Sequence, residues 1–375
     1  PAATASLVRG LAKAGMDSPQ IYANHFPAIL PNHSVQAKEF PGGTMECGAP
    51  LLRMRVAQIT DLTGPQGVSV ADRDALVAAA GQLLIDVHAA GINFPDLLMT
   101  RGEYQVKPEL PFVPGSEIAG VVVSAPADSG FAKGDRVAAF TLLGGIAEQA
   151  LTSPEYAIKL PDTFTFAQGA ALPMNYLTME FALLRRGGIK ASDTVLIHGA
   201  AGGIGTAGIQ IAKAVGATVI AVASTAEKRE VALAAGADHA IPVEGFRDTA
   251  KQLTGGRGVD IVVDPVGGDR FTDSLRSLQA EGRLLVIGFT DGEIPTVKVN
   301  RLLLNNIDVR GVGWGAFAFA RPGYIGTQWA SIATLIESGA INPPVGSVYP
   351  LEEVGEAIAE LGARRAQGKV VIAVR

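Results

Sequence analysis

The chain has 375 residues, 48% of them hydrophobic and 18% charged, with 31 Lys and Arg against 36 Asp and Glu for a net charge of −5. This composition excludes a chain that is disordered over most of its length, and the acidic balance without a Lys/Arg run speaks against a nucleic-acid surface. The single cysteine, Cys47, excludes an internal disulfide and a cysteine-cluster metal site.

Residues 1–53 carry scattered Pro and Gly with no sustained period, and at most a short helix at Ser6–Lys13 is expected there. This segment reads as an N-terminal extension. It shows no charged region followed by a continuous apolar run of the secretory kind, and the lone cysteine fits a reducing compartment, so a cytoplasmic protein is expected. At Met54 the texture changes. "MRVAQIT" alternates as a strand does, and a turn follows at Gly64–Pro65. Up to about Pro161 the runs "QLLIDVHAAGI", "EIAGVVVSA" and "DRVAAFT" predict a compact β module with few helices. From about Asn175 strands alternate with helices. Strands are predicted at Thr194–Gly199, Thr218–Ala223, His239–Pro242, Val259–Pro265, Arg283–Gly288 and Asp308–Gly313, with helices such as Glu227–Ala235 and Arg270–Leu278 between them. Near-continuous Val/Ile/Leu strands are buried on both faces, as in a parallel sheet. Beyond Trp314, helices are predicted at Trp329–Ser338 and Leu351–Ala363, and the closing strand "KVVIAV" is expected to return to the first module. The expected class is therefore α/β: a doubly wound parallel sheet over residues 175–313, and a β-rich domain built from residues 54–174 and 314–375.

Within the doubly wound part, Val195–Ser224 holds one formally charged side chain, Lys213. Its length and apolarity approach those of a spanning helix, which needs about 20 residues. Gly199, Gly202, Gly203, Gly205 and Gly208 argue against that reading, because glycine is costly inside helices. No membrane association is expected. The stretch reads instead as strand, glycine turn, helix and strand. The turn matches the dinucleotide fingerprint G-x-G-x-x-G as Ala200-x-Gly202-x-x-Gly205, with alanine in the first place. Gly202 would let a pyrophosphate approach the backbone, Gly205 would let the helix pack on the strand, and the helix N-terminus would offer N–H groups to phosphate. At the end of the next strand, where NAD-binding folds carry Asp or Glu for the ribose hydroxyl, stand Ser224 and Thr225, followed by Lys228 and Arg229. A hydroxyl with cations suits a 2′-phosphate, so NADPH is the expected cofactor. Glu227 is read as a charge in the first helical turn.

Several stretches in order resemble the medium-chain dehydrogenase/reductase superfamily, and within it the quinone oxidoreductase (ζ-crystallin-like) family. They are "AAGINFPDLLMTRGEYQVKPELPFVPGSEIAGVV", "GDRVAAF", "ALPMNYLTMEFAL", "VLIHGAAGGIGTAGIQIAK", "GADHAI", "VDIVVDPVGG", "GRLLVIGF" and "GKVVIAV", spread from about Met54 to Arg375. The resemblance implies a GroES-like catalytic domain, a Rossmann domain, NADPH between them, a small-molecule quinone or enone as acceptor, and a homodimer. Asn93 matches the cleft asparagine that faces nicotinamide and substrate, and Tyr104 a tyrosine lining the quinone pocket; these are the expected catalytic pair. Thr178 and Phe289 match residues near the nicotinamide, Gly203 and Ile204 backbone contacts to the pyrophosphate, and Val266 and Gly288 further cofactor contacts. The strand-like "NNIDVRGVGWG" could pair across a two-fold axis. Loops Thr141–Gly145 and Gly315–Gly323 would shape the acceptor pocket.

The chain differs from the zinc-dependent members of the superfamily at two positions and departs from the quinone oxidoreductase pattern at two others. Zinc-dependent members have a cysteine at Asn93 and a histidine at Ser116, so no metal is expected here. Leu98 stands where some quinone reductases have a second pocket tyrosine, and Val243 where the family often has a tyrosine against the 2′-phosphate. The "NF-x-D-x-L" pattern leaves an enoyl-thioester reductase as one alternative. A non-enzymatic, crystallin-like NADPH-binding protein is another.

Overall fold

The structure is a computed structural model that describes residues 52–375. The expected extension, apart from its last two residues, and the short helix at Ser6–Lys13 lie outside the described residues. Strands β1 (Arg53–Ile59) and β2 (Val68–Asp74) form an antiparallel ribbon. Strands β3 (Leu83–Gly91), β4 (Glu117–Ser124), β5 (Arg136–Phe140), β6 (Gln149–Thr152) and β7 (Ala157–Lys159) begin a second sheet. The chain then builds a six-stranded parallel sheet from β8 (Thr194–His198), β9 (Thr218–Val222), β10 (His239–Ile241), β11 (Val259–Asp264), β12 (Leu278–Val286) and β13 (Asp308–Gly311). Finally β14 (Val345–Pro350) and β15 (Lys369–Ala373) return to the second sheet, whose order is β14-β15-β3-β4-β5-β7 with β6 also on β3.

The parallel sheet has the order β10-β9-β8-β11-β12-β13. Every residue of β8 and β11 is buried, which is why their sequences run apolar without alternation. The expected doubly wound sheet and the β-rich domain are both present. The suspect apolar stretch resolves into β8, the helix α3 (Gly203–Val215) and β9. No helix among the described residues is long and apolar enough to cross a membrane.

Most element ends fall within three residues of the sequence reading, and the larger differences lie in four places. The β-rich domain contains a helix, α1 (Phe94–Thr100), opened by Asn93 with a proline in its first turn. Those are helix-start signals, but the segment is too short to show a period. The helix expected at Trp329–Ser338 begins at Tyr324, because Gly323 in the left-handed region (φ 82°) turns the chain there. Strand β12 begins at Leu278 rather than Arg283; its polar "QAEG" opening, with Glu281 at φ 64°, hides it in the sequence. Residue 174 falls inside the helix α2 (Pro173–Glu180), whose residues share one core with Phe140 of β5 and Ile197 of β8.

Candidate active site

The strand order reverses between β8 and β11, and open α/β sheets bind ligands in the crevice outside such a switch point. Gly199, at φ 59°, leaves β8 into the glycine turn. Gly202 then caps α3 in an extended conformation with no side-chain cap, so the first N–H groups of the helix are left for a ligand. The three glycines do different work. A Cβ on Gly202 would meet only the Gly199 carbonyl, at 3.5 Å, so this position faces open space. On Gly205 it would lie 2.4 Å from the Gly199 carbonyl oxygen and 2.5 Å from the Ala200 Cα. On Gly203 it would lie 2.4 Å from Nδ2 of Asn175, a buried residue of α2 that the sequence reading passed over. Ala200 is wholly buried, and its N–H donates to the Val222 carbonyl (3.3 Å), tying the turn to β9. Ile204 is partly buried against the shared core.

Across the switch point, the N–H groups of Val266 and Gly267 each donate to Asp264 Oδ1 at 2.9 Å. Burial raises the Asp264 carboxyl above its ordinary range. Val266 faces Gly199, Gly288 faces the Pro265 carbonyl, and the Phe289 ring lies against Gly267. Ala200–Gly205, Val266, Gly288 and Phe289 therefore meet at the ends of adjacent strands. Thr178 is buried on α2, the helix that packs against α3.

Beyond β9, Ser224 and Thr225 are exposed. The Thr225 hydroxyl accepts from the Lys228 N–H (3.3 Å) and so caps the helix α4 (Ala226–Ala234). Glu227 is held below the usual carboxylate range by its own N–H and by the Thr225 hydroxyl, which makes it the first-turn charge its position predicts. The Lys228 ammonium donates to the carbonyl of Arg364. Burial, and then the neighbouring Arg364 charge, lower the Lys228 pKa. The Arg364 guanidinium donates to Asp291 Oδ1 (2.8 Å) and to the Thr290 carbonyl (3.2 Å). The backbone of Arg364, 136 residues further along the chain, thus meets Lys228, and its guanidinium, paired with Asp291, is close enough for its charge to act on the ammonium. Only the basic pair in "GARRAQ" hints at it in the sequence. Val243 is partly buried against the core cluster of β9 to β12 and offers no polar group there.

Asn93 is buried within a network of charged side chains. Its Nδ2 donates to Glu117 Oε1 (2.8 Å), and its Oδ1 accepts from Lys369 Nζ (2.7 Å). Lys369 and Glu117 also form an ion pair, with side chains 4% and 0% exposed. Glu117 Oε2 accepts from the Met174 N–H at 2.7 Å. Asp96, wholly buried, accepts from the N–H groups of Asn93 (2.8 Å) and Gly115 (3.2 Å). Burial pushes its carboxyl up to about 6, against the opposing pull of those bonds and of Lys369. Asp96 and Lys369 were not singled out in the sequence; the signals were an acid three residues after the helix-capping Asn93, and a lysine opening an apolar strand.

The segment 364–369 touches all these parts. Arg364 meets Lys228, the Gly368 N–H donates to the Ala201 carbonyl (2.6 Å) in the glycine turn, and Lys369 reaches Asn93. Tyr104 packs with Val68 and Leu143 on the cluster of Ile59, Met99 and Phe112, just past the end of α1. Leu98 is partly buried on that helix. A cavity of about 200 Å³ is lined by Thr141–Gly144 and Phe319, from the two loops expected to shape the acceptor pocket, with Phe140 and Tyr156. Neither Asn93 nor Tyr104 lines this cavity; Ser116 links Asn93 to its Thr141 wall. The Ser116 Oγ lies 3.4 Å from Asn93 Nδ2, and its carbonyl accepts from the Thr141 N–H (2.9 Å). A larger cavity of about 580 Å³, beside the Val354–Gly362 helix, is lined by none of the expected site residues.

Two family models match: "Alcohol dehydrogenase GroES-like domain" over residues 79–162 and "Zinc-binding dehydrogenase" over residues 203–325. A probable oxidoreductase from Mycobacterium abscessus superposes with a TM-score of 0.79 at 43% identity, covering 87% of this chain and 100% of that one. The Escherichia coli quinone oxidoreductase complexed with NADPH gives a TM-score of 0.77 at 28% identity, over 85% and 100%. Quinone oxidoreductase-like protein 2 of Mus musculus is 36% identical over 86% of this chain and 92% of its own length. With this fold, this glycine turn at the switch point and these relatives, the chain belongs to the quinone oxidoreductase-like family of the medium-chain dehydrogenase/reductase superfamily.

Proposed function

We propose that the chain is an NADPH-dependent, zinc-independent oxidoreductase that reduces a quinone or an activated enone. The observation that carries this reading is the cradle at the switch point, open at Gly202 and flanked at the next strand end by Lys228 and Arg364 with no acid in the binding position. The cofactor fits: the free N–H groups of α3 suit a pyrophosphate, and Ser224, Thr225, Lys228 and Arg364 suit a 2′-phosphate. Arg364 offsets the missing tyrosine at Val243. When bound, NADPH supplies a hydride from nicotinamide C4. Thr178, Val266, Gly288 and Phe289 would hold the nicotinamide end. Asn93 and the Tyr104 hydroxyl would donate hydrogen bonds to the acceptor oxygen as charge develops on it, and the aromatic wall of Phe140, Tyr156 and Phe319 would exclude water from a flat apolar acceptor.

A catalytic zinc does not fit these residues. Asn93 and Ser116 replace thiolate and imidazole ligands, Glu117 spends both oxygens on Lys369, Asn93 and the Met174 N–H, and the Lys369 ammonium already fills that space. We further infer that the protein pairs with a second copy of itself through β13. This strand ends the parallel sheet, and Val299, Leu303 and Leu304 just before it are 72%, 76% and 74% exposed.

The test is a panel of quinones, enones and a crotonyl thioester, with NADPH and NADH in parallel and a chelator present. NADPH-dependent turnover of quinones or enones is expected, and Asn93→Ala and Tyr104→Phe should lower kcat/KM with NADPH affinity little changed. Turnover of the thioester alone would point to an enoyl-thioester reductase. NADPH binding without any turnover would point to a binding protein.

A further inference from the structure

We propose that Lys369 is a positioning residue that, with Glu117, locks the Asn93 amide as a hydrogen-bond donor toward the cleft. The inference rests on the hydride-transfer reading above and assigns to that site a residue from the last strand of the sheet. The β-sheet register brings the three together. Val371 of β15 pairs with Gly91 of β3, so two residues along Lys369 lies opposite Asn93. Ala90 pairs with Ile118 of β4, so Glu117 lies beside Gly91. Side chains two residues apart on a strand share a face, which places Asn93, Glu117 and Lys369 on one side with Gly91 between them. Gly91 is the slot. A Cβ there would come within 2.7 Å of Glu117 Oε1, 2.7 Å of Lys369 Cε and 2.3 Å of the Ala170 carbonyl oxygen.

The chemistry of the partners fixes which way the amide faces. An ammonium can only donate, so the group 2.7 Å from Lys369 Nζ is the Asn93 oxygen. An ionised carboxylate can only accept, so the group 2.8 Å from Glu117 Oε1 is the Asn93 nitrogen. The pair satisfies its own opposite charges in a place water does not reach, and it turns the Asn93 oxygen inward. What Asn93 keeps is its second Nδ2 proton, which meets only long contacts, Ser116 Oγ at 3.4 Å and the Gly91 carbonyl at 3.5 Å. The side chain is thereby committed to giving a hydrogen bond to a ligand atom rather than accepting one. If the amide rotated by half a turn it would present oxygen to a carboxylate and nitrogen to an ammonium. Both arrangements are repulsive, so the pair enforces the orientation and does not merely permit it.

The test uses the full chain in four forms: wild type, Lys369→Arg, the double variant Lys369→Met with Glu117→Gln, and that double variant with Asn93→Ala. Removing both charges together avoids leaving one buried alone. In the double variant kcat should fall about 100-fold, the loss that a misplacement of roughly 1 Å can cause, while NADPH affinity changes by less than about three-fold. Lys369→Arg should recover most of the rate. Adding Asn93→Ala to the double variant should cost no further rate, because the two act through one group. An activity-independent readout is the side-chain amide signal of Asn93 in protein labelled with 15N-asparagine, which should shift or broaden in the double variant and stay in place in Lys369→Arg. Wild-type kcat in the double variant, an equal loss of NADPH affinity, or an unmoved Asn93 signal would each overturn the proposal. Should the double variant not fold, Lys369→Arg alone decides, because an Asn93 signal lost or moved despite the retained cation contradicts the lock. A wild type inactive on every acceptor would instead count against the proposed function, and the Asn93 signal would still test the lock.

Discussion

Methyl groups added separately at Gly202 and Gly205 should separate binding from folding within one turn. At Gly205 the new Cβ would lie 2.4 Å from the Gly199 oxygen and 2.5–2.6 Å from backbone atoms of Ala200, none of which can swing aside. Overpacking of this kind costs about 1–3 kcal/mol, and about 1 kcal/mol moves the Tm of a domain of 150–250 residues by roughly 2–4 °C. Gly205→Ala should therefore melt several degrees lower. At Gly202 the backbone sits at φ −84°, ψ 175°, where alanine is at home. A stiffer unfolded chain favours alanine by about 0.4–1 kcal/mol, set against a poorer cap, so the net change in stability should be small. The new methyl, however, points into the space where phosphate would meet the α3 N–H groups. Losing one charge-assisted hydrogen bond costs about 1.5–3 kcal/mol, or roughly 10- to 100-fold in affinity. The assays are thermal melting without ligand and NADPH titration followed by nucleotide fluorescence. The reasoning fails if Gly202→Ala binds NADPH as tightly as wild type, or if it melts as low as Gly205→Ala.

Lys228→Ala and Arg364→Ala should each raise KM for NADPH about ten-fold or more and leave KM for NADH nearly unchanged, since only NADPH carries the phosphate each would bind; equal losses for both cofactors would contradict the assignment. Asp96 makes stability depend on pH. Its carboxyl rises from an ordinary 3.8 to about 6 on folding, so its contribution is fully present below pH 3.8 and lost as pH climbs through 6, a swing of about 3 kcal/mol. Urea unfolding across that range should show this slope in wild type and lack it in Asp96→Asn. Leu303→Asp with Leu304→Asp should convert the proposed dimer to a monomer in light scattering while the circular dichroism spectrum stays that of the folded chain, because both side chains are exposed in the single chain; an unchanged mass would remove β13 from the interface.

What could be read from the residues alone was the local part of the fold. The Ala200–Gly205 turn is legible because strand, glycines and helix are contiguous, and β8 and β11 are legible because burial on both faces leaves uninterrupted apolar runs. The closing strand was legible as a strand, but not the meaning of its first residue. Lys369 meets Asn93 across 276 positions, and Arg364 meets Lys228 across 136. No local pattern encodes a partner at that distance; only the sheet register does. Asn175 escaped for a related reason. Its significance lies in the missing side chain of Gly203, on another helix.

The place of β15 in its sheet bears on how the protein is made. Strand β3 pairs with β6 through Leu83–Asp86, but its last three residues, Ala89–Gly91, find their partner on that side only in β15. At about 5–20 residues per second, the ribosome delivers Lys369 roughly 15–55 s after Gly91. The nucleotide-binding sheet, finished at Gly311, can close first although its strands begin later in the chain. A β-rich half that folded in that interval would present an open strand edge with Glu117 unpaired, the kind of surface that pairs wrongly or recruits a chaperone. A stop codon just before Lys369 would take out an interior strand of the sheet and the buried cation together.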